Sequence, residues 1–268
     1  MPRPTPPTPG AAGRIRHFRS SLSIFASAIG AIGLWTQLDA ATLALTPIAD
    51  AAIYEESSGA TANGAGEFLL AGRTNQASQS RRRSLLQFDL GALPPDAIIT
   101  AVSLQLFLFQ VNTAATDISF HRVISPWTAG PADPASNESA GLAATVGDVT
   151  WRFAQFDQSL WTTPGGDAAL EPSATVSIGS TPGFHTWTSP DLVADVAAWL
   201  AEPTANVGWI LRDSESTPQT AKRFASADHP DPLLNPRLTI EFTSIPEPTA
   251  AILLSLSCFV LLSRRGRH

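Results

Sequence analysis

Val102-Ser103-Leu104-Gln105-Leu106-Phe107-Leu108-Phe109 is the stretch that decides the fold. In an extended chain Val102, Leu104, Leu106 and Leu108 point one way and Ser103, Gln105, Phe107 and Phe109 the other, because successive side chains of a strand alternate between faces. A period of two predicts a strand with one apolar and one mixed face. The same alternation sets Leu238, Ile240 and Phe242 against Thr239, Glu241 and Thr243, and Leu86, Phe88 and Leu90 against Gln87 and Asp89. Turn chemistry bounds these runs at Gly91 with Pro94-Pro95-Asp96, at Asn112-Thr113 and at Asn235-Pro236. Strands of this kind predict an all-β, antiparallel β-sandwich.

One helix is expected among the strands. Ser189-Pro190-Asp191 supplies a capping hydroxyl, a proline at the first helical position and a carboxylate in the first turn. Leu192, Val193, Val196, Trp199 and Leu200 then share a face, and Glu202-Pro203 ends the run. So short a helix needs that face packed, which predicts a plug across one end of the sandwich. Pro131–Gly147, rich in Ala, Ser, Pro and Gly, reads as an exposed loop.

The ends have a different character. Arg14, Arg16 and Arg19 precede an apolar run from Leu22 to Leu34, followed by Thr36-Gln37 and the small residues Ala40-Ala41. That order predicts a secretory signal peptide over residues 1–40, with an uncleaved membrane anchor as the alternative. At the other end Pro246-Glu247-Pro248 leads into apolar Thr249–Leu262 and then Arg264, Arg265 and Arg267. A helix over those 14 residues reaches about 21 Å against a hydrocarbon core of about 30 Å, a marginal transmembrane helix whose arginines would stay cytoplasmic. Physical chemistry alone yields an exported domain tethered at its C-terminus. The arrangement resembles the PEP-CTERM sorting signal of Gram-negative bacteria, with Pro246, Glu247 and Pro248 as the motif and Ile245 where Val is frequent. That resemblance implies an exosortase-type membrane protease as partner; a plain tail anchor is the alternative.

Between the ends, Ala41–Ile245 forms one domain of about 205 residues. The chain carries 17 Lys+Arg and 23 Asp+Glu, but the basic residues crowd into the ends. The middle keeps ten basic and 21 acidic residues, a net of −11, with Lys222 its single lysine. Such a domain repels polyanions overall, which argues against nucleic acid as a partner. Cys258, the one cysteine, lies in the C-terminal apolar segment, so disulfides and cysteine-ligated zinc are unavailable to the middle.

A succession of motifs through the middle resembles the DNRLRE domain, a jelly-roll module of secreted and surface proteins of bacteria and archaea. It runs from Asp50-Ala-Ala-Ile-Tyr54 through Asn63-Gly64, Leu70-Ala71-Gly72 and Arg83-Ser84-Leu85-Leu86-Gln87-Phe88-Asp89-Leu90. It continues through Trp127-Thr128, Thr150-Trp151, Trp161-Thr162-Thr163-Pro164-Gly165-Gly166-Asp167, Trp199-Leu200 and Gly208-Trp209-Ile210-Leu211-Arg212. Phe224-Ala225-Ser226-Ala227-Asp228 and Pro236-Arg237-Leu238-Thr239-Ile240 close it. The resemblance covers Asp50–Thr243 and departs from the pattern at Ala227-Asp228, where Arg-Glu is frequent. It implies a jelly-roll-like sandwich related to polysaccharide-binding modules.

Candidate chemistry is sparse. No G-x-S-x-G elbow, H-E-x-x-H helix, Walker loop or G-x-G-x-x-G occurs. Glu55-Glu56 would point to opposite faces of a strand, whereas Asp213 and Glu215 could share one, as a glycosidase pair must, or could sit on an exposed turn. Asp228-His229-Pro230-Asp231 offers ligand atoms to a metal, or is a proline-bent loop whose carboxylates cap amides. Acidic loops of sandwiches also hold structural calcium through oxygen ligands, but there is no EF-hand loop and no metal ligand is assigned. Six tryptophans lie in the middle. Trp199 and Trp209, in apolar runs, read as core; Trp151 and Trp161, in polar stretches, are candidates for stacking on sugar rings. Arg81-Arg82-Arg83 could grip the carboxylates or sulfates of an acidic glycan, or form a solvated strand start.

The expected protein is thus an exported, non-catalytic component of the cell envelope or extracellular matrix of a Gram-negative bacterium. An exosortase would process its membrane-anchored precursor, and extracellular polysaccharide would be its partner. The alternative is a carbohydrate-binding module with a specific acidic-glycan site; a polysaccharide-degrading enzyme is the third reading.

Overall fold

The computed structural model describes residues 39–244, apart from 110, 112, 136 and 137. Most of the expected signal peptide, the Pro246-Glu247-Pro248 motif, the apolar segment 249–262 and Arg264, Arg265 and Arg267 lie outside the described residues. Among the described residues no helix is long and apolar enough to cross a membrane.

The alternating runs become antiparallel strands around two facing sheets. In the first sheet the central strand is β6 (Ile98–Leu108), which contains the run at 102–109 up to Leu108. One edge of β6 pairs with β12 (Gly183–Thr188), the other with β15 (Arg237–Ser244) and then, at Leu108, with β14 (Lys222–Ala225). β1 (Asp39–Leu45) pairs along β15 from Asp39 opposite Ser244 to Leu45 opposite Leu238. The second sheet runs β11 (Ala174–Ile178), β7 (Thr116–Arg122), β13 (Trp209–Asp213), β5 (Arg81–Gln87) and β2 (Ala49–Tyr54). β4 (Phe68–Arg73) pairs with β14 and also with β5, which joins the two sheets at one side.

Alternation decides what lies between the sheets. Val102, Leu104, Leu106 and Leu108 are 3% exposed or less, whereas Ser103, Gln105 and Phe107 on the same strand are half-buried. The inner stripe meets Leu86, Ile118, Phe120, Trp209 and Leu211 of the other sheet in one apolar core. Trp187 of β12 crosses between the layers. Its ring stacks edge-on at 5.2 Å against Phe120 and its Nε1 donates to the Ile118 carbonyl at 2.8 Å. Phe88 and Leu90 are buried as their alternation requires, although β5 stops at Gln87. The fold is therefore an all-β sandwich.

The helix forms over Pro190–Ala201, with the Ser189 hydroxyl accepting from the Leu192 N–H and Glu202 at its C-cap. Its apolar side enters the core through Leu192, Val196 and Trp199. A carboxylate, invisible to a hydropathy reading, also docks it: Asp195 accepts from Ser173 Oγ at 2.5 Å and from Trp209 Nε1 at 2.8 Å.

The segment Pro131–Gly147 departs from an exposed loop. Ala132, Pro134 and Glu138 are buried, and Leu142–Ala143 forms β8, paired with β3 (Thr61–Ala62). Glu138 holds it down by accepting from Asn63 Nδ2 and from the Glu67 N–H, each at 2.6 Å. Burial raises the Glu138 pKa, with those donors working against the rise.

Candidate functional site

The pleat divides the arginine triplet. On β5 the side chains of Arg81 and Arg83 take one face and that of Arg82 the other, so three consecutive charges do not make one patch. Arg83 is 7% exposed and grips Glu215 side-on, Nε to Oε1 at 2.5 Å and Nη2 to Oε2 at 2.7 Å. Its Nη1 donates to the Gly165 carbonyl at 2.7 Å, and its guanidinium lies 4.8 Å from the centre of the Trp151 ring. Arg81 sits 3.6 Å from both Glu55 and Glu215. Arg82 is 8% exposed and lies 5.1 Å over Tyr54, its cross-strand neighbour. Expected to grip a glycan together, Arg81 and Arg83 are instead neutralised by carboxylates of this chain, and Arg82 stands apart from them.

The tryptophan expectation needs a similar correction. Trp151 is 5% and Trp161 4% exposed, so neither ring face is open to a sugar. They belong to a second apolar cluster with Ile53, Leu85, Trp127, Val149 and Ile210. Leu85 and Ile210 alternate with the inward Leu86 and Leu211, which places this cluster on the outer face of the second sheet. The polar-looking chain around 123–168 thus covers that face. Its indole N–H groups are satisfied: Trp161 Nε1 donates to the Thr150 carbonyl at 3.0 Å and Trp127 Nε1 to the Val207 carbonyl at 2.8 Å. Asp167 accepts from the Thr162 and Thr163 N–H groups at 2.9 and 2.8 Å. Partial burial opposes its charge, but those amides and the Ser125 hydroxyl outweigh it and hold its pKa below the ordinary carboxylate value. Gly165, at φ +95°, is required here, because a Cβ would lie 2.7 Å from Arg83 Nη1 and 2.8 Å from the Trp151 ring.

The carboxylates singled out as candidate pairs or ligands are largely taken up by the fold. Glu215, at φ +55°, is committed to Arg83, while Asp213 is buried and accepts from the Thr220 hydroxyl at 2.6 Å and from the Glu215 N–H at 2.7 Å. Glu56 accepts from the N–H groups of Ser58 and Ala60 within its own turn. In the loop 228–231, Asp231 caps the Leu233 N–H at 3.0 Å and its own N–H donates to His229 Nδ1 at 3.1 Å. Among the described residues no group of three or more His, Cys, Asp or Glu side chains converges as a metal site.

What sequence reading passed over lies on the outer face of the first sheet. Phe107 and Phe109 point away from the core, and Phe184, directly across from Phe107 on β12, is 48% exposed. Phe184, Phe107, Phe109 and Phe68 follow one another edge-to-face in three steps of 5.1 Å, with His229 5.2 Å from Phe109. The signal was present in the run at 102–109, whose mixed face carries two phenylalanines where a solvated face normally carries polar residues.

At the Phe68 end this row reaches a cleft of about 560 Å³ lined by Glu67, Phe68, Asp133, Glu138, Arg223 and Asp228 among others. Arg223 packs 4.6 Å over Phe68 and 5.7 Å over Phe109. Among the described residues no hydrogen bond or ion pair engages the Glu67 and Asp228 carboxylates or the Arg223 guanidinium. Desolvation, reinforced by Asp133, raises the Asp228 pKa. An aromatic row leading into a cleft of uncommitted acceptors and donors can stack on rings and hydrogen-bond hydroxyls. Compared with known proteins, the chain matches no family model, and a search of curated proteins finds no relative.

Proposed function

We propose that the protein is an exported, non-catalytic component of a bacterial cell envelope or extracellular matrix that associates with extracellular polysaccharide. In this reading residues 1–40 are a signal peptide, the middle is a jelly-roll-like domain resembling the DNRLRE family, and Pro246-Glu247-Pro248 with the segment 249–262 and its arginines is a PEP-CTERM-type signal processed by an exosortase.

The observation that carries the polysaccharide part is the open outer face of the first sheet. Phe184, Phe107, Phe109 and Phe68 form a continuous aromatic strip with Phe184 nearly half exposed, a surface that takes the apolar faces of sugar rings, and the strip ends beside carboxylates able to accept from hydroxyls. The engagement of Asp213 and Glu215 within the fold supports the non-catalytic side, since a glycosidase needs two carboxylates facing one bond. The reading as a module with a specific acidic-glycan site is favoured by the free Nε–Nη2 edge of Arg82 and by Arg223, which has no hydrogen-bond or ion-pair partner among the described residues.

The test is a co-sedimentation titration of the full chain with insoluble neutral glucans and with extracellular polysaccharide of a Gram-negative biofilm. Saturable binding that falls at least tenfold in Phe107→Ala and Phe184→Ala is expected. Absence of binding to every polysaccharide, or binding indifferent to both substitutions, would sink the proposal.

A further inference from the structure

Next to the acidic cleft, and sharing Leu70, Ser139 and Arg223 with it, lies a second cavity of about 320 Å³. Three of the ten cations of a domain with net charge −11 line it: Arg82, Lys222 and Arg223. Two of these are withdrawn from solvent, Arg82 at 8% exposure and Lys222 at 0%. A charge taken out of water is costly unless something opposite compensates it. Here compensation is only partial: Glu55 acts on Arg82 and Asp213 on Lys222 from a distance, and among the described residues no carboxylate stands within 4.0 Å of any of the three.

The donors that are in use identify those that are not. Lys222 Nζ, closed to solvent, donates to Thr113 Oγ1 at 2.9 Å and to the Ala114 carbonyl at 2.6 Å, so it acts on the cavity through its field. Arg82 spends only Nη1, on the Gln79 and Arg81 carbonyls at 3.0 and 2.9 Å. Its Nε and Nη2 have no partner among the described residues, and that edge of a guanidinium is the fork that matches two oxygens of a carboxylate or sulfate. Stacking on Tyr54 holds the fork's plane, and Arg223, an exposed lining residue, packs over Phe68.

We infer that this cavity is an oxyanion site, taking a carboxylate or sulfate between Arg82 and Arg223, and that the anion is a substituent of the polysaccharide whose rings run along the phenylalanine row. The site itself follows from the unpaired cations; only the source of the anion rests on the proposed function. The neighbouring carboxylates sharpen selectivity. A densely charged polyanion would be repelled by Glu67, Asp133 and Asp228, so the fitting ligand carries its acid groups sparsely, between neutral sugars.

The test is calorimetric titration of the full chain, at constant ionic strength, with inorganic sulfate, a heteropolysaccharide containing occasional uronic acids, and a neutral glucan. The uronic-acid polysaccharide is expected to bind most tightly, and its affinity to drop roughly tenfold or more in Arg223→Gln and Arg82→Gln, the loss of one charge-assisted pair, but not in Arg81→Gln. Arg223 is exposed, so its variant keeps the experiment decisive if Arg82→Gln fails to fold. Sulfate binding with the same arginine dependence, in the absence of polysaccharide binding, would support the site and assign it to a small free anion. Failure of both anions to bind, or indifference to Arg223→Gln, would overturn it. In that event the native chain would still bind neutral glucan, and Phe184→Ala would lose that binding, which separates the failure of this inference from that of the polysaccharide reading.

Discussion

The outer face of the second sheet and the outer face of the first differ in what covers them. Over β2, β5 and β13 the chain at 123–168 lays down Trp127, Trp151 and Trp161 against Ile53, Leu85 and Ile210 and closes a second core. Over β6, β12 and β14 nothing comparable is laid down among the described residues, which leave Phe184 and Arg223 exposed and Phe107 and Phe109 half-buried. Aromatic residues occupy both faces, so composition does not distinguish a face to be buried from a face that meets a ligand. What distinguishes them is whether the polar groups nearby are already satisfied. On the covered face Arg83 pairs with Glu215, Asp167 accepts from backbone amides and the indole N–H groups donate to carbonyls, while on the open face the side chains of Arg223, Glu67 and Asp228 have no hydrogen-bond or ion-pair partner among the described residues.

The contrast can be broken most sharply at Trp151. Replacement by Ala removes a buried ring and the support of Arg83, and is expected to cost about 3–5 kcal/mol in a denaturant titration. A loss under 1 kcal/mol would mean that the covering chain is not a packed layer.

A second effect of similar size is conditional on pH. Asp50 is 4% exposed, and desolvation lifts its pKa to about 7, with the Ala227 N–H pulling it down and Asp228 pushing it further up. Because the folded chain holds this proton more tightly than the unfolded one, its contribution is fully present below about pH 4 and is lost as pH rises toward 7. At about 1.4 kcal/mol per unit, the difference in stability between the native chain and Asp50→Asn should change by up to about 4 kcal/mol from pH 4 to pH 8, the native chain losing ground at the alkaline end. A pH-independent difference would show that Asp50 titrates normally.

Next, Glu215→Gln should cost about 3 kcal/mol by leaving Arg83 buried without its counter-charge, and an added Arg83→Gln should recover part of the loss. The smallest effect belongs to the open face. Phe184→Ala should shift stability by less than about 1 kcal/mol, since nearly half of that side chain is already solvated, while weakening polysaccharide binding at least tenfold. A large stability loss there would make the phenylalanine row a core feature and erase the contrast.

Legibility in the sequence followed the range of the interaction. The strands around 102–108 and 237–244 and the helix at 190–201 were readable because alternation, capping and proline placement act over a few residues. Burial of Trp199 and Trp209 was readable as well, since their neighbours are apolar. Trp151 and Trp161 were misread because their sequence neighbours are polar while their spatial neighbours come from β2, β5 and β13, tens of residues away in the chain. The alternation rule that separated Glu55 from Glu56 would also have separated Arg82 from Arg81 and Arg83. What it could not supply is that Glu215, 132 residues from Arg83, would take up the pair on one side and leave Arg82 on the other.

Sequence by itself determined that the middle of the chain folds as antiparallel strands with one capped helix, that its net charge is −11, and which residues of each strand share a face. Those properties depend on local backbone geometry and on counting. Tertiary structure alone decided which of two aromatic faces is sealed and which charges are neutralised, because both depend on segments distant in the chain arriving at the same place, and desolvation and ion pairing are set by what arrives.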